Sequence, residues 1–217
     1  MGFKEVWKKN KFLILGIFFT LLQILVIYRN LSEAFNIFFW LCDFIPIIIA
    51  IGFFRKNLLL VRGVVSVAFL PQMVYLVSLV LGTFIYPNLP NFSYLIEAFG
   101  FLNFLPKGGF YIFITILTHL STLFAMMVVI NYDHHKKSLK YSALLILGTF
   151  FASFLFTSPI DNINYVFTFG QTVWPAILWT LIVFFAITIP TYYLQKLIHI
   201  ILIRSKYFEK KDKSKSL

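Results

Sequence analysis

The chain has 217 residues, 60% of them hydrophobic and only 12% charged, with 28 Phe, 11 Tyr and 4 Trp. Soluble domains carry about 25% charged residues and roughly 45–50% apolar ones. A soluble globule, a disordered chain and a nucleic-acid-binding domain are therefore excluded, and a mean hydropathy of +0.86 points to a protein dissolved in a bilayer. A single cysteine excludes an intrachain disulfide and a cysteine metal site.

A membrane-spanning helix needs roughly 20 mostly apolar residues. Six segments meet that length: Phe12–Tyr28, Asn36–Phe54, Gly63–Tyr86, Gly109–Ile130, Tyr141–Ile160 and Thr172–Ile203. The expected fold is all-α, a polytopic membrane protein of six transmembrane helices. It forms one domain over residues 1–205, followed by a basic tail over 206–217. The last span is long enough to project beyond the bilayer. Its Pro190 is expected to kink it, because proline has no N–H for the carbonyl of Ala186.

Lysine and arginine set the orientation. Of the 19 such residues, 17 fall before the first span, between spans two and three, between spans four and five, or at the C-terminal end; Arg29 and Lys107 lie on the other side. The N and C termini are thus expected in the cytoplasm of a multi-pass cell-membrane protein. The net charge of +11 reads as topology rather than nucleic-acid affinity. The tail from Lys206 to Lys215 reads mainly as a solvated anchor able to touch anionic lipid headgroups. The first segment is too long for a signal peptide and no small-x-small cleavage site follows it. The largely apolar outer segment from Pro87 to Gly108 is expected to lie in the interface or to fold over the bundle as a lid.

Ionisable groups at membrane depth are costly, so each is a functional candidate. The second span carries Cys42 and Asp43, and Asn36, Trp40 and Asp43 share one face at i, i+4 and i+7. Pro46 leaves the carbonyl of Cys42 without its helical partner. The fourth span carries His119 in a stripe with Thr115 and Thr122. By the helical rise, Cys42 lies roughly 9 Å and His119 about 15 Å below the outer ends of their spans. Ser158, Asp161, Asn162, Asn164 and Tyr165, with Trp174 opening the last span, add polar groups on the same side.

A thiol beside an imidazole is the pattern of a cysteine nucleophile with a general base. The expected chemistry is acyl transfer: Cys42 as nucleophile, His119 as base, Asp43, Asn164 or Tyr165 as orienting acceptor, and Asn164 as an oxyanion donor. Trp40, Thr115, Thr122, Tyr165 and Trp174 are the expected substrate-lining residues. Against this stands the plainer role of a lone membrane cysteine as a packing residue. Gln23 and Gln72 read as interhelical hydrogen-bond formers, Gly148 and Ala152 as a helix-packing pair, and Asp133-His134-His135 as a solvated turn.

Four runs in order carry a resemblance. Phe39-Trp40-Leu41-Cys42-Asp43-Phe44 with Arg55-Lys56-Asn57 resembles the "LCD" second helix of the YwaF-like integral membrane proteins. Tyr86-Pro87-Asn88-Leu89 is similar to their TPDL-type turn, Thr118-His119 to their intramembrane histidine, and Asn164-Tyr165-Val166-Phe167 with Gly170 and Trp174-Pro175 to their late aromatic stretch. The resemblance implies a helical bundle related to a eukaryotic ether-phospholipid acyltransferase, and more distantly to androgen-induced-gene-type membrane hydrolases. It implies that Cys42 and His119 act together on a phospholipid or fatty-acyl ester through an acyl-cysteine intermediate. No metal or soluble cofactor is expected. Six helices with inside-positive ends also fit a small-molecule or lipid binding or transport protein without catalysis.

Overall fold

The structure, a computed structural model, describes residues 3–33, 40–80, 109–160 and 163–215. Among them every regular element is helical: α1 (Phe3–Glu33), α2 (Leu41–Phe54), α3 (Leu58–Val80), α4 (Gly109–Val129), α5 (Ser138–Phe156), a 3₁₀ turn (Ile163–Tyr165), α6 (Val173–Ile182), a π turn (Val183–Thr188) and α7 (Ile189–Lys215). Five helical stretches are long and apolar enough to cross a membrane. α2 is a shorter apolar helix of 14 residues, which reaches about 21 Å against a hydrocarbon core of roughly 30 Å. Among the described residues the protein is all-helical, with five to six helices apolar enough to be embedded in a membrane. The expected lid, Pro87 to Gly108, and Asn36, Asp161 and Asn162 lie outside the described residues.

Two differences from the expected spans matter for the site. α1 does not stop at Tyr28 but runs on through Arg29 and Asn30 to Glu33. Arg29 is therefore a buried helical residue and not a free outer-loop charge. α2 begins at Leu41 because Trp40 is extended (φ −62°, ψ 131°). Trp40 and Asp43 thus do not share a helical face.

The bundle is oriented for lipid. Large apolar side chains such as Phe151, Leu155, Phe185 and Leu197 point outward, while the interior mixes apolar groups with many buried polar ones. Phe19, Ile49, Phe53, Val61, Val65 and Ala125 form one core among α1 to α4. Val67, Ile146, Phe150, Val166, Ala176 and Val183 form a second around α5 and α6. Close approach of α3 and α5 depends on Gly63, where a Cβ would meet the Ser138 carbonyl oxygen at 2.7 Å and Tyr141 Cβ at 2.8 Å. The Ser142 hydroxyl donates to the Gly63 carbonyl across that contact (2.9 Å). Gly148, expected to pack, instead faces open space; the helix-packing glycine of α5's contact sits on its partner helix.

Gln23 and Gln72 both bridge helices. Pro46 interrupts the α2 ladder, and the following N–H, that of Ile47, donates to Gln23 Oε1 of α1 (3.1 Å). Gln72 of α3 accepts from Thr122 of α4 (2.6 Å). Before Pro190 the chain forms the π turn, in which Thr188 Oγ1 donates five residues back to the Val183 carbonyl (3.3 Å). One extra residue in the turn is a recognised way to absorb a local break in the helical ladder.

Candidate functional site

The buried polar groups of α1, α2 and α4 form one connected network. Arg29 and Asp43 make an ion pair at 2.7 Å, with side chains only 6% and 3% exposed. Asn30 ties the two together: its Oδ1 accepts from Arg29 Nε (3.0 Å) and Nη2 (2.8 Å), and its Nδ2 donates to Asp43 Oδ2 (2.7 Å). Arg29 Nη1 donates to Thr115 Oγ1 (3.1 Å), and that hydroxyl donates to the Tyr111 carbonyl (2.9 Å). Such dense pairing is what a charge at membrane depth requires, since no water is present to replace a missing partner.

Cys42 and His119 attach to opposite ends of this network. The half-buried Cys42 thiol donates to Asp43 Oδ1 (3.6 Å). His119 lies within 2.7 Å of the Thr115 carbonyl through Nδ1. A carbonyl only accepts, so Nδ1 carries the proton and Nε2 keeps its lone pair. The imidazole is also clamped flat on Tyr75 of α3, with ring centroids 4.1 Å apart and planes 15° from parallel. The orienting acceptor of His119 is therefore the Thr115 backbone. Asp43, expected in that role, gives its oxygens to Arg29, Asn30 and the thiol.

Asn164, expected as an oxyanion donor, is engaged in bonds to three parts of the chain. Its Oδ1 accepts from the backbone N–H of Leu41 (2.8 Å), capping α2 from a distant part of the chain. Its Nδ2 donates to Ser153 Oγ (2.7 Å), and its carbonyl accepts from Trp179 Nε1 (2.9 Å). Asn164 and Tyr165 both have left-handed backbones (φ 53° and 58°). Asparagine tolerates that conformation, whereas tyrosine adopts it rarely and at a cost of order 1–3 kcal/mol. The turn sets Tyr165 edge-on against Trp40 (5.6 Å) and Trp179 (6.3 Å). Burial pushes the Tyr165 hydroxyl up to about 12. Tyr165 is thus a neutral wall near the thiol.

Of the expected substrate-lining residues, Thr115 and Thr122 are buried on α4, and Trp40 and Tyr165 close the end of α2. Trp174 stands apart, 75% exposed on the outside of α6. Among the described residues no group of three His, Cys, Asp or Glu could hold a metal. The sequence reading missed Arg29, Asn30 and Tyr75. The signal for the first two was there: an Arg-Asn pair within reach of an Asp in the next helix, both at the end of an apolar run. The Asp133-His134-His135 turn also departs from expectation. His134 packs on Tyr192 (4.3 Å between rings), with Nε2 3.2 Å from the Tyr192 carbonyl. Burial, then the nearby Arg62 charge, lowers its basicity to about 4.

No family model matches the chain, and no curated protein or solved structure is similar to it.

Proposed function

We propose that the protein is a multi-pass cell-membrane enzyme that transfers or hydrolyses fatty-acyl groups of membrane lipids through an acyl-cysteine. Six spans with both termini in the cytoplasm complete the reading, as does kinship with the YwaF-like proteins. The observation that supports it best is the linkage of the single thiol and a tautomerically fixed imidazole through Asp43, Arg29 and Thr115.

In this reading Cys42 Sγ attacks the ester carbonyl carbon. The C–O π pair moves to oxygen, and the thiol proton passes to His119 Nε2. Collapse of the adduct expels the alkoxide, which takes that proton and leaves as the alcohol. The acyl-cysteine then yields to water or to an acceptor hydroxyl by the same steps. At rest Asp43 Oδ1 accepts the thiol hydrogen, and the Thr115 carbonyl fixes the imidazole tautomer.

The test is turnover of a chromogenic long-chain acyl ester by purified protein, with intact-mass measurement of the acyl adduct. Wild type should hold one acyl group. Cys42→Ser should lack the thioester, and His119→Ala should slow turnover by about 10²–10⁴-fold. Undiminished turnover in either folded variant would end the proposal. A second reading, lipid or small-molecule binding or transport without chemistry, is favoured by one observation: the thiol's hydrogen bond goes to Asp43 and that of the imidazole goes to the Thr115 backbone.

A further inference from the structure

The α3–α4 contact holds a buried donor that no internal bond uses. Gln72 is 3% exposed, and its Nε2 has no hydrogen-bond partner. Its other amide atom is fixed, because Oε1 accepts from Thr122 Oγ1 at 2.6 Å. A buried amide N–H left unmatched costs about 1–3 kcal/mol, so it calls for a partner that comes and goes.

Its position says what that partner is. Gln72 and Tyr75 lie one turn apart on α3, and Thr122 and His119 lie one turn apart on α4. Gln72 meets Thr122 while Tyr75 stacks on His119. The two helices thus run as a ladder, and the free amide sits about one helical pitch, roughly 5 Å, from the imidazole. One group offers a donor. The other, through its bare Nε2, offers a lone pair. A neutral ligand with a carbonyl oxygen next to a transferable proton satisfies both, which is the pattern of an ester under attack by a thiol or hydroxyl.

We propose that Gln72 Nε2 donates to the carbonyl oxygen of the acyl ester, and to the oxyanion that develops there, the part first expected of Asn164. The assignment rests on the acyl-transfer reading for its substrate, but its prediction concerns binding and stands without turnover. The amide of Gln72 makes this protein prefer a long-chain ester over the ether of identical length, in which a methylene replaces the carbonyl.

The experiment compares the ester and its ether by competition titration in the Cys42→Ala background, where no acyl-enzyme forms. The parent should favour the ester by about tenfold. Gln72→Met, close in volume and without a donor, should bring that ratio to about one, with ether affinity unchanged. Thr122→Val, which frees Oε1 while keeping the amide, should lower the ratio part of the way, and serves if Gln72→Met does not fold. The isotope-edited infrared stretch of the bound ester carbonyl should lie at lower frequency in the parent than in Gln72→Met. An unchanged ratio and stretch in Gln72→Met would overturn the proposal, as would a parent without ester preference, the result expected if the amide serves only a buried water. An ester preference without turnover in wild type would refute the catalytic reading and leave this one standing. Turnover without any ester preference would do the reverse.

Discussion

The Arg29–Asp43 pair makes the sharpest energetic prediction. Each partner is almost fully buried, and the two oxygens of Asp43 have Arg29, Asn30 and the Cys42 thiol as their partners. Removing Arg29 leaves a carboxylate whose remaining donors are neutral. Removing the charge of Asp43 takes away the carboxylate that pairs with the guanidinium among the described residues, while the bonds to Asn30 and Thr115 remain. Breaking a buried pair from one side costs about 3–5 kcal/mol, because the survivor is an uncompensated charge, whereas replacing both partners together is often near neutral. Neutral interhelical hydrogen bonds in membranes are far weaker, averaging about 0.6 kcal/mol in double-mutant cycles. Arg29→Gln and Asp43→Asn should therefore each lower stability by about 3 kcal/mol or more. The double variant should recover most of that loss, ending about 1 kcal/mol below the parent, which corresponds to a coupling energy of about 5 kcal/mol. Unfolding in mixed detergent micelles, followed by tryptophan fluorescence, gives the four corners of the cycle. A coupling near 0.6 kcal/mol, or additive losses, would show that the pair is solvated and would refute the argument from burial.

Other outcomes follow from single contacts. Asn164→Ala removes the cap on the Leu41 N–H and the donor to Ser153 Oγ; it should cost about 1–2 kcal/mol in the same unfolding assay. Gly63→Ala forces a Cβ into the Ser138 carbonyl and should cost about 1–3 kcal/mol, while Gly148→Ala, facing open space, should be neutral or slightly stabilising, since alanine favours the helix. His134 stays neutral in the fold down to about pH 4, whereas in the unfolded chain it takes up a proton below about 6.5. The unfolded state binds more protons in that window, so stability should fall as pH drops from 6.5 toward 4 and level off below. His134→Gln should flatten that part of the melting-temperature profile.

The sequence made the all-helical, membrane-embedded class legible, because apolar runs near bilayer length leave few other solutions. It also showed which polar residues matter at depth: Asp43, Thr115, His119 and Gln72 are all buried. What it hid was pairing. Asp43 and Arg29 are 14 residues apart across a helix boundary, and a charge count treats the arginine as a loop residue. Only the continuation of α1 past Tyr28 turns it inward. Asn164 is 123 residues from the Leu41 N–H that it caps. That bond depends on a left-handed turn, and no pattern of apolar spacing encodes one. The periodicity argument for Trp40 and Asp43 failed for a related reason. It assumed a helix through Trp40, where the chain is still extended and the cap arrives from elsewhere.

The two deeply buried arginines are stabilised in different ways, and the difference bears on where chemistry is expected. Arg62, 1% exposed on α3, donates through Nη2 to the carbonyls of Val129 (2.7 Å) and Tyr132 (3.0 Å) at the end of α4. These carbonyls lie at the C-terminal end of α4 and in the turn after it, where the helix carries partial negative charge, and the Val129 carbonyl also accepts from the Tyr132 N–H (3.1 Å). The guanidinium is thus held at the helix end through Nη2, its Nη1 having no hydrogen-bond partner among the described residues, and the turn beyond α4 is tied to α3 through its backbone. His199 adds to the clamp, its ring nitrogen lying 2.6 Å from the Ile130 carbonyl. Such a junction locks three parts of the chain together, and the hydrogen-bond acceptors of Arg62 there are peptide carbonyls rather than a carboxylate. Arg29 is matched instead by a side-chain carboxylate that also holds a thiol, and by a hydroxyl whose backbone carbonyl holds an imidazole. Side-chain partners can exchange protons and re-pair when a ligand enters, whereas the peptide carbonyls of a helix end cannot. For that reason substitutions at Arg62 should register in stability alone, and the conservative Arg29→Lys, which keeps the charge but loses the forked geometry, should register in turnover as well.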